Sequence, residues 1–169
     1  ISGHVEKPGC VELPLGVTAR ELIEEHAGGV WKGRRAKAVV PGGISMGFLS
    51  ADELETPLDF NGPLKAGCLG LGTAAVVVVD DQTSMVDVLY NCCRFMSHES
   101  CGQCTPCREG TAWMTKILER VRAGHGLVGP GAQRDPITED LASLLIRLGV
   151  VSPYRRPSRQ QPLDDRDGR

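Results

Sequence analysis

The spacing of apolar residues changes near residue 84. Before that position, apolar residues form short runs or alternate with polar ones, a pattern typical of strands. From Ser84 onward they recur every three or four residues, as on one face of an amphipathic helix. The pattern therefore predicts a sheet-containing domain over residues 1–81 and a helical domain over 84–149.

The first domain is predicted to contain two strands, a helix and two further strands. These elements are a hairpin over 1–17 with its turn at 7–9, a helix from Thr18, and strands at 36–40 and within 71–80. Thr18 and Glu21 have the spacing of a capping box, and Gly28-Gly29 would end the helix. This order of elements is that of a small β-grasp, or ubiquitin-like, domain, so we expect the α+β class with a mixed sheet.

A glycine-rich loop at 41–47 separates two of these elements. It lacks both the lysine of a Walker motif and the Gly-x-Gly-x-x-Gly order of dinucleotide-binding loops. We therefore expect a plain turn in preference to a nucleotide site.

The second domain is predicted to be a small helical bundle. Its apolar stripes comprise Met85, Val88, Leu89, Cys92, Phe95 and Met96, then Met114, Ile117, Leu118 and Val121, and finally Leu141, Leu144, Leu145 and Leu148. The second helix should stop at Gly124, and the third should begin near Thr138. Residues 150–169 have no apolar period, which predicts a disordered polar tail.

Composition narrows the classes of partner. The chain has 169 residues, a net charge of −2 and 4% aromatic residues, so neither nucleic-acid binding nor direct membrane insertion is expected. Its seven cysteines are an odd number, and two are adjacent in a helical pattern, which favours a reducing compartment over a secreted disulfide framework. The chain begins with isoleucine in what resembles a strand, so we expect a piece of a longer protein.

Three cysteines, Cys101, Cys104 and Cys107, fall within seven residues. Thiolates are the usual protein ligands of iron–sulfur clusters, and a four-iron cube needs one terminal ligand per iron. A loop with this spacing can place three thiolates around one face of the cube at a small entropic cost. The motif therefore predicts a [4Fe-4S] site with three ligands from this loop.

Other residues of the loop suit the same chemistry. Gly102 can adopt backbone angles that bring main-chain N–H groups toward cluster sulfur. Thr105 and Pro106 are typical of an N-cap and a first helical residue, which would place Cys107 in the opening turn of a helix. The positive end of that helix would stabilise an anionic cluster. We expect Gly102, Thr105 and Pro106 to contact the cofactor, and we assign no catalytic residue.

Several other sites use closely spaced cysteines. Zinc usually takes two separated Cys/His pairs, and Cys10 and Cys68 stand alone in the sequence. A redox dithiol would need a strand-then-helix context, which is not seen here. A ferredoxin repeat would place a fourth cysteine after three intervening residues, where Thr111 stands. Cys92 and Cys93 are interpreted as helix-core residues, although Cys93 or His98 could be recruited as the missing fourth ligand.

The sequence also resembles a known family, the flavoprotein subunit of NADH:quinone oxidoreductase, or respiratory complex I. Related subunits of NAD-linked formate dehydrogenases and hydrogenases share the pattern. The resemblance covers about residues 1–148 and is strongest in the segments 2–9, 40–43, 71–76 and 99–110.

This resemblance implies a β-grasp domain of the soluble-ligand-binding type followed by a helical [4Fe-4S] domain. Cys101, Cys104 and Cys107 would be three of the cluster's ligands. The cluster would accept single electrons from FMN reduced by NADH. The family's nucleotide-binding segment has no counterpart here, so this segment alone should neither bind FMN or NADH nor oxidise NADH. The family's fourth cysteine lies beyond the helix that resembles residues 138–148, which implies a truncated or frame-shifted fragment, or a variant with an open iron site.

The resemblance also implies assembly with the other subunits of a respiratory or NAD-linked complex, including a thioredoxin-like [2Fe-2S] subunit. The expected location is cytoplasmic, peripheral to the inner membrane through those partners, or on the matrix side in mitochondria. A second hypothesis is a stand-alone β-grasp adaptor that binds zinc or no metal. A third, a catalytic cluster with an open iron, ranks last because its usual cysteine spacing has a longer first gap.

Overall fold

The computed structural model describes residues 1–124, which form a mixed four-stranded sheet and several helices. The strands are β1 (Ser2–Gly3), β2 (Ala36–Val40), β3 (Leu49–Ser50) and β4 (Val77–Asp80), in the order β1-β4-β2-β3. β1 is parallel to β4, whereas β2 is antiparallel to both β4 and β3. This arrangement confirms the α+β class and the mixed sheet. None of the described helices is long and apolar enough to cross a membrane.

The main core lies between one face of this sheet and the first helix. Val39 of β2 is paired with Val78 of β4 on one side and with Leu49 of β3 on the other. Paired residues of neighbouring strands point to the same face, so the three side chains form one apolar surface. Leu22 and Ile23 are buried in the same cluster, which is how the helix is held on the sheet.

The first helix, α1, begins as Ala19–Glu21 and continues as a wider π-helix over Leu22–His26. The Thr18 hydroxyl accepts a hydrogen bond from the backbone N–H of Glu21 at 3.1 Å, so the predicted N-cap is confirmed. The π-turn, in which the N–H of Ala27 bonds to the carbonyl of Leu22, was not anticipated from sequence. The helix stops before the predicted Gly28-Gly29 pair.

The predicted hairpin over 1–17 is wrong. The chain turns back, and Ile1 and Gly9 exchange two backbone hydrogen bonds, but residues 10–13 form no strand. The N–H groups of Glu6 and Lys7 instead donate to carbonyls at the end of α1. β1 finds its strand partner in the distant β4, where the N–H of Ser2 donates to the carbonyl of Val76 and that of His4 to the carbonyl of Val78.

A buried carboxylate joins the end of β4 to the segment around Trp31 and Arg34. Asp80 ends β4 and is fully buried. It accepts hydrogen bonds from the backbone and hydroxyl of Thr83, the indole N–H of Trp31 at 2.8 Å and Arg34 at 2.6 Å. These bonds, led by that of the Thr83 hydroxyl, hold the pKa of Asp80 well below its ordinary value. His4 stacks on Trp31 and accepts from the Asp80 backbone N–H, so five chain positions meet here.

Three further helices follow α1: α2 (Gly62–Lys65), α3 (Met85–Glu99) and α4 (Thr105–Arg122). α3 and α4 run antiparallel as a helical hairpin, since the Tyr90 hydroxyl reaches Glu119 at 3.0 Å and Asp87 pairs with Arg122. These polar contacts lie beside a small apolar core formed by Leu89, Cys93 and Leu118.

The helical stripes are confirmed in part. Ile117 and Leu118 are buried, and α4 ends two residues before the predicted stop at Gly124. Phe95 and Val121, predicted to face inward, are 56% and 37% exposed. The predicted third helix and the polar tail lie outside the described residues, so the boundaries 1–81, 84–149 and 150–169 stay predictions.

Candidate metal centre

The three motif cysteines lie at the turn between α3 and α4. α3 ends at Glu99, and Ser100 is its C-cap. Cys101 follows in the loop, Cys104 is the N-cap of α4, and Cys107 is the third residue of that helix. All three thiols are free and exposed. The turn thus presents three accessible sulfur ligands at one end of the hairpin.

The predicted N-cap is displaced by one residue. Cys104, in an extended conformation, is the N-cap, and its carbonyl accepts from the N–H of Arg108 at 2.9 Å. Thr105 is already helical, and Pro106 occupies the first turn, where a missing N–H does no harm. The helix begins one residue earlier than predicted, so Cys107 becomes its third residue. The prediction that Cys107 lies in the opening turn is therefore confirmed.

Gly102 sits at the tip of the loop with a φ of 78°, in the left-handed region that favours glycine. Its N–H donates to the Ser100 hydroxyl at 3.3 Å, and its carbonyl accepts from the Arg108 guanidinium at 2.9 Å. The loop is therefore held from the end of α3 and from the start of α4 at once.

The charges near the loop are mixed. The unsatisfied N–H groups of the first turn of α4 give that end partial positive charge, which suits an anionic ligand. Arg108 adds a full positive charge, although Glu109 pairs with it at 3.0 Å. On the other side, Glu99 contacts the ring of His98 at 2.9 Å.

At least one pair of the three sulfur atoms lies farther apart than two thiolates bound to one zinc ion. With Zn–S bonds of about 2.3 Å, two thiolates on one zinc lie about 3.8 Å apart. Within residues 1–124, the Sγ atoms of Cys101, Cys104 and Cys107 do not all lie within 4.8 Å of one another. A cube takes each thiolate on a different iron, so it accepts a wider triangle of ligands. The three exposed thiols on this turn therefore fit the thiolate ligands that an iron–sulfur cube requires.

The two residues considered for a fourth ligand lie in different surroundings. Cys93 is only 1% exposed and packs between α3 and α4, where burial, followed by the neighbouring Cys92, raises its thiol pKa to about 11. This confirms Cys93 as a core residue, whereas Cys92 is half-buried. His98 is exposed in the last turn of α3, near the cysteine loop. Its role as a ligand stays a prediction.

Another group of candidate ligand atoms was missed from sequence. Atoms of Glu21, Glu25 and His26 lie within 4.8 Å of one another on the π-turn of α1. The four-residue spacing of the two glutamates was a visible signal, but His26 joins them only because the helix widens there. Partly exposed carboxylates often cluster in this way without a metal, so no metal site is assigned to this group.

The glycine-rich loop at 41–47 is a packing turn. A Cβ at Gly42 would overlap the carbonyl oxygen of Leu71. The carbonyl of Gly42 also accepts from the N–H of Thr73 at 3.1 Å. Close approach of two backbone segments therefore explains the glycine, as the plain-turn prediction requires.

Comparison with known proteins gives two family matches along the chain. Residues 1–79 match the SLBB domain, and residues 87–143 match the NADH-ubiquinone oxidoreductase-F iron-sulfur binding region. The first match covers the described sheet and α1, and its β-grasp-like fold agrees with the observed mixed sheet. The second contains all three motif cysteines.

Full-length relatives agree with these matches. The chain is 52% identical over 129 residues to the F 2 subunit of the NADH-quinone oxidoreductase of Rhizobium meliloti (strain 1021), covering 76% of this chain and 30% of that protein. It is 48% identical over 126 residues to the F subunit of the NADH-quinone oxidoreductase of Mycobacterium bovis, covering 75% and 28%. The chain therefore spans less than a third of the length of these relatives.

A solved structure shows the same likeness. The crystal structure of an NAD+-reducing [NiFe]-hydrogenase in the air-oxidized state matches with a TM-score of 0.60 and 34% identity, over 73% of this chain and 20% of that one. The resemblance predicted from sequence is thus confirmed. Over its matched residues, this chain is similar to NADH-quinone oxidoreductase F subunits, with a match to the SLBB domain followed by a match to the F-subunit iron–sulfur binding region.

Proposed function

We propose that this chain is the electron-relay portion of an NADH-linked oxidoreductase and that Cys101, Cys104 and Cys107 bind its [4Fe-4S] cluster. The observation that carries the proposal is the set of three exposed thiols on one turn, in a region that matches an iron–sulfur binding family. When bound, such a cluster supplies one-electron acceptance and donation.

The residues of the chain would bind and shield this group. The three thiolates would each hold one iron, and the first turn of α4 would direct its free N–H groups toward cluster sulfur. Gly102, Thr105 and Pro106 would contact the cluster, as the sequence predicts, although Thr105 lies inside the helix and is not its cap. The fourth iron would take His98 or an external thiol.

The wider setting is part of the same proposal. Electrons would come from FMN reduced by NADH in a flavoprotein region that is not expected to lie within this segment. The names of the relatives support NADH as the electron source, and the flavin is what the family resemblance implies. The chain would work beside other subunits of the complex, including a thioredoxin-like [2Fe-2S] subunit. Such assembly would place it at the periphery of the inner membrane, on the cytoplasmic or matrix side.

Anaerobic reconstitution tests the central step. The full chain would be incubated with ferrous iron, sulfide and a small thiol, then desalted. We expect about four irons and four sulfides per chain, with broad visible absorption that dithionite bleaches. Cys104→Ser should lower the iron content severalfold, because the cube loses one of its fixed ligands.

Cys10→Ser is the matched control, since Cys10 is also exposed but lies in the first domain. It should load as the unmodified chain does. Colourless protein that binds stoichiometric zinc would support the adaptor hypothesis instead. Equal iron content in the Cys104 and Cys10 variants would overturn the assignment of the loop.

A further inference from the structure

We propose that Ser100 is a positioning residue whose hydroxyl donates a hydrogen bond to the ligand sulfur of Cys107. This hydrogen bond would raise the reduction potential of the cluster. The inference rests on the proposed function, because it concerns a cluster held by the cysteine loop. It adds a residue outside the cysteine motif and assigns that residue a direction of effect.

The geometry comes from two contacts of one oxygen atom. Ser100 Oγ lies 3.4 Å from Sγ of Cys107 and accepts the backbone N–H of Gly102 at 3.3 Å. Ser100 is the C-cap of α3 and is partly buried, whereas Cys107 belongs to α4. The hydroxyl therefore bridges the end of one helix, the tip of the loop and a candidate ligand on the next helix.

Ligand binding would fix the direction of this hydrogen bond. In the free chain, the Cys107 thiol can donate its proton to Ser100 Oγ. A cysteine that ligates iron is a thiolate, which has no proton and can only accept. Since the Gly102 N–H already points at the same oxygen, the hydroxyl proton of Ser100 is the donor left for the sulfur.

The sign of the effect follows from charge. One electron, supplied by reduced flavin in the complex or by dithionite in the assay, adds a negative charge to the cluster and its thiolates. A donor aimed at ligand sulfur stabilises the more negative, reduced form more strongly, and hydrogen bonds to sulfur are among the factors that set cluster potentials. Loss of the Ser100 hydroxyl should therefore lower the potential.

The test is a redox titration of the reconstituted full chain, followed by visible absorption and by electron paramagnetic resonance of the reduced state. Ser100→Ala should shift the one-electron reduction equilibrium about tenfold toward the oxidised form, which corresponds to about 59 mV more negative. Ser100→Thr should match the unmodified chain because it keeps the hydroxyl. Ser97→Ala, one helical turn earlier in α3, is the matched control and should cause no shift.

A second pair of variants separates tuning from folding. Ser100→Thr and Ser100→Val have nearly the same shape and differ in the hydroxyl, so the valine variant should show the same negative shift as alanine. Loaded valine or alanine variants with an unchanged potential would overturn the inference. So would loss of the cluster from both of them with full loading of the threonine variant, because the hydroxyl would then serve assembly. An unmodified chain that takes up no cluster would instead overturn the proposed function.

Discussion

Truncating Leu118 to alanine tests whether the helical hairpin depends on its small apolar core. Leu118 is 2% exposed and packs against Leu89 of the facing helix and Cys93. These contacts stabilise the α3–α4 pair that carries the cysteine loop. The variant should therefore weaken both the helical pair and its hold on the cluster.

The size of the effect follows from the buried carbon that is lost. Leucine to alanine removes three carbon groups, each worth about 0.8 kcal/mol when buried, or about 2.4 kcal/mol together. The cavity left in a core that relaxes only partly adds to this, so we expect a loss of about 3 kcal/mol in the free energy of unfolding. That is a large share of the roughly 5–15 kcal/mol that stabilises a typical domain.

Urea unfolding of the full chain, followed by far-ultraviolet circular dichroism, measures this loss. Amide hydrogen exchange should locate it in Met85–Glu99 and Thr105–Arg122, because the sheet has its own buried cluster. The reconstituted variant should also release iron to a chelator several times faster than the unmodified chain.

Val121→Ala is the matched control. Val121 lies on the same helix and is 37% exposed, so its truncation should cost less than about 0.5 kcal/mol. Equal destabilisation by Leu118→Ala and Val121→Ala would refute the described packing. Exchange that increases in the sheet instead of the helices would do the same.

Two further predictions concern the sheet domain. Asp80→Asn should lower the urea midpoint at neutral pH, whereas Asp81→Asn, a change at a partly exposed neighbour, should have little effect. Because hydrogen bonds depress the folded pKa of Asp80, its stabilisation should be complete above the unfolded pKa of about 4 and decline as the pH falls toward the folded value. The gap between unmodified chain and variant should thus narrow in acid, and a gap independent of pH would contradict the network. Gly42→Ala should destabilise by about 1–3 kcal/mol because its new methyl overlaps the Leu71 carbonyl, whereas Gly9→Ala, which meets open space, should be nearly neutral by thermal unfolding.

Local patterns were read correctly where local forces decide the structure. The strand at 36–40 and the helix that starts after Thr18 appear as predicted, because the two valines at the end of the strand and the N-cap of the helix act on their own segments. The periodicity after Ser84 likewise gave two helices flanking the cysteine loop. The cysteine spacing was sufficient to identify the candidate ligands, and together with the segments 2–9, 40–43 and 71–76 it carried the family resemblance.

Other features needed the folded chain. The side chain of Cys93, and not that of Cys92, enters the helical core, since the rotation of α3 depends on its contact with α4. The N-cap of α4 is Cys104 and not the predicted Thr105. Residue preferences at helix ends do not locate a boundary to within one residue. The hydroxyl of Ser100 reaches Cys107 because the loop folds back between the two helices.

The sequence by itself determined the strand at 36–40, the start of α1 and the two helices that flank the cysteine loop, and it placed three thiols on one short turn. The tertiary structure alone decided that β1 pairs with β4, that Asp80 accepts hydrogen bonds from the distant Trp31 and Arg34, and that a hydroxyl lies beside one candidate ligand. The physical reason is the sequence separation over which each interaction acts. Capping, turns and periodicity act between residues a few positions apart. Strand pairing and buried polar networks depend instead on residues that meet only after the core has formed.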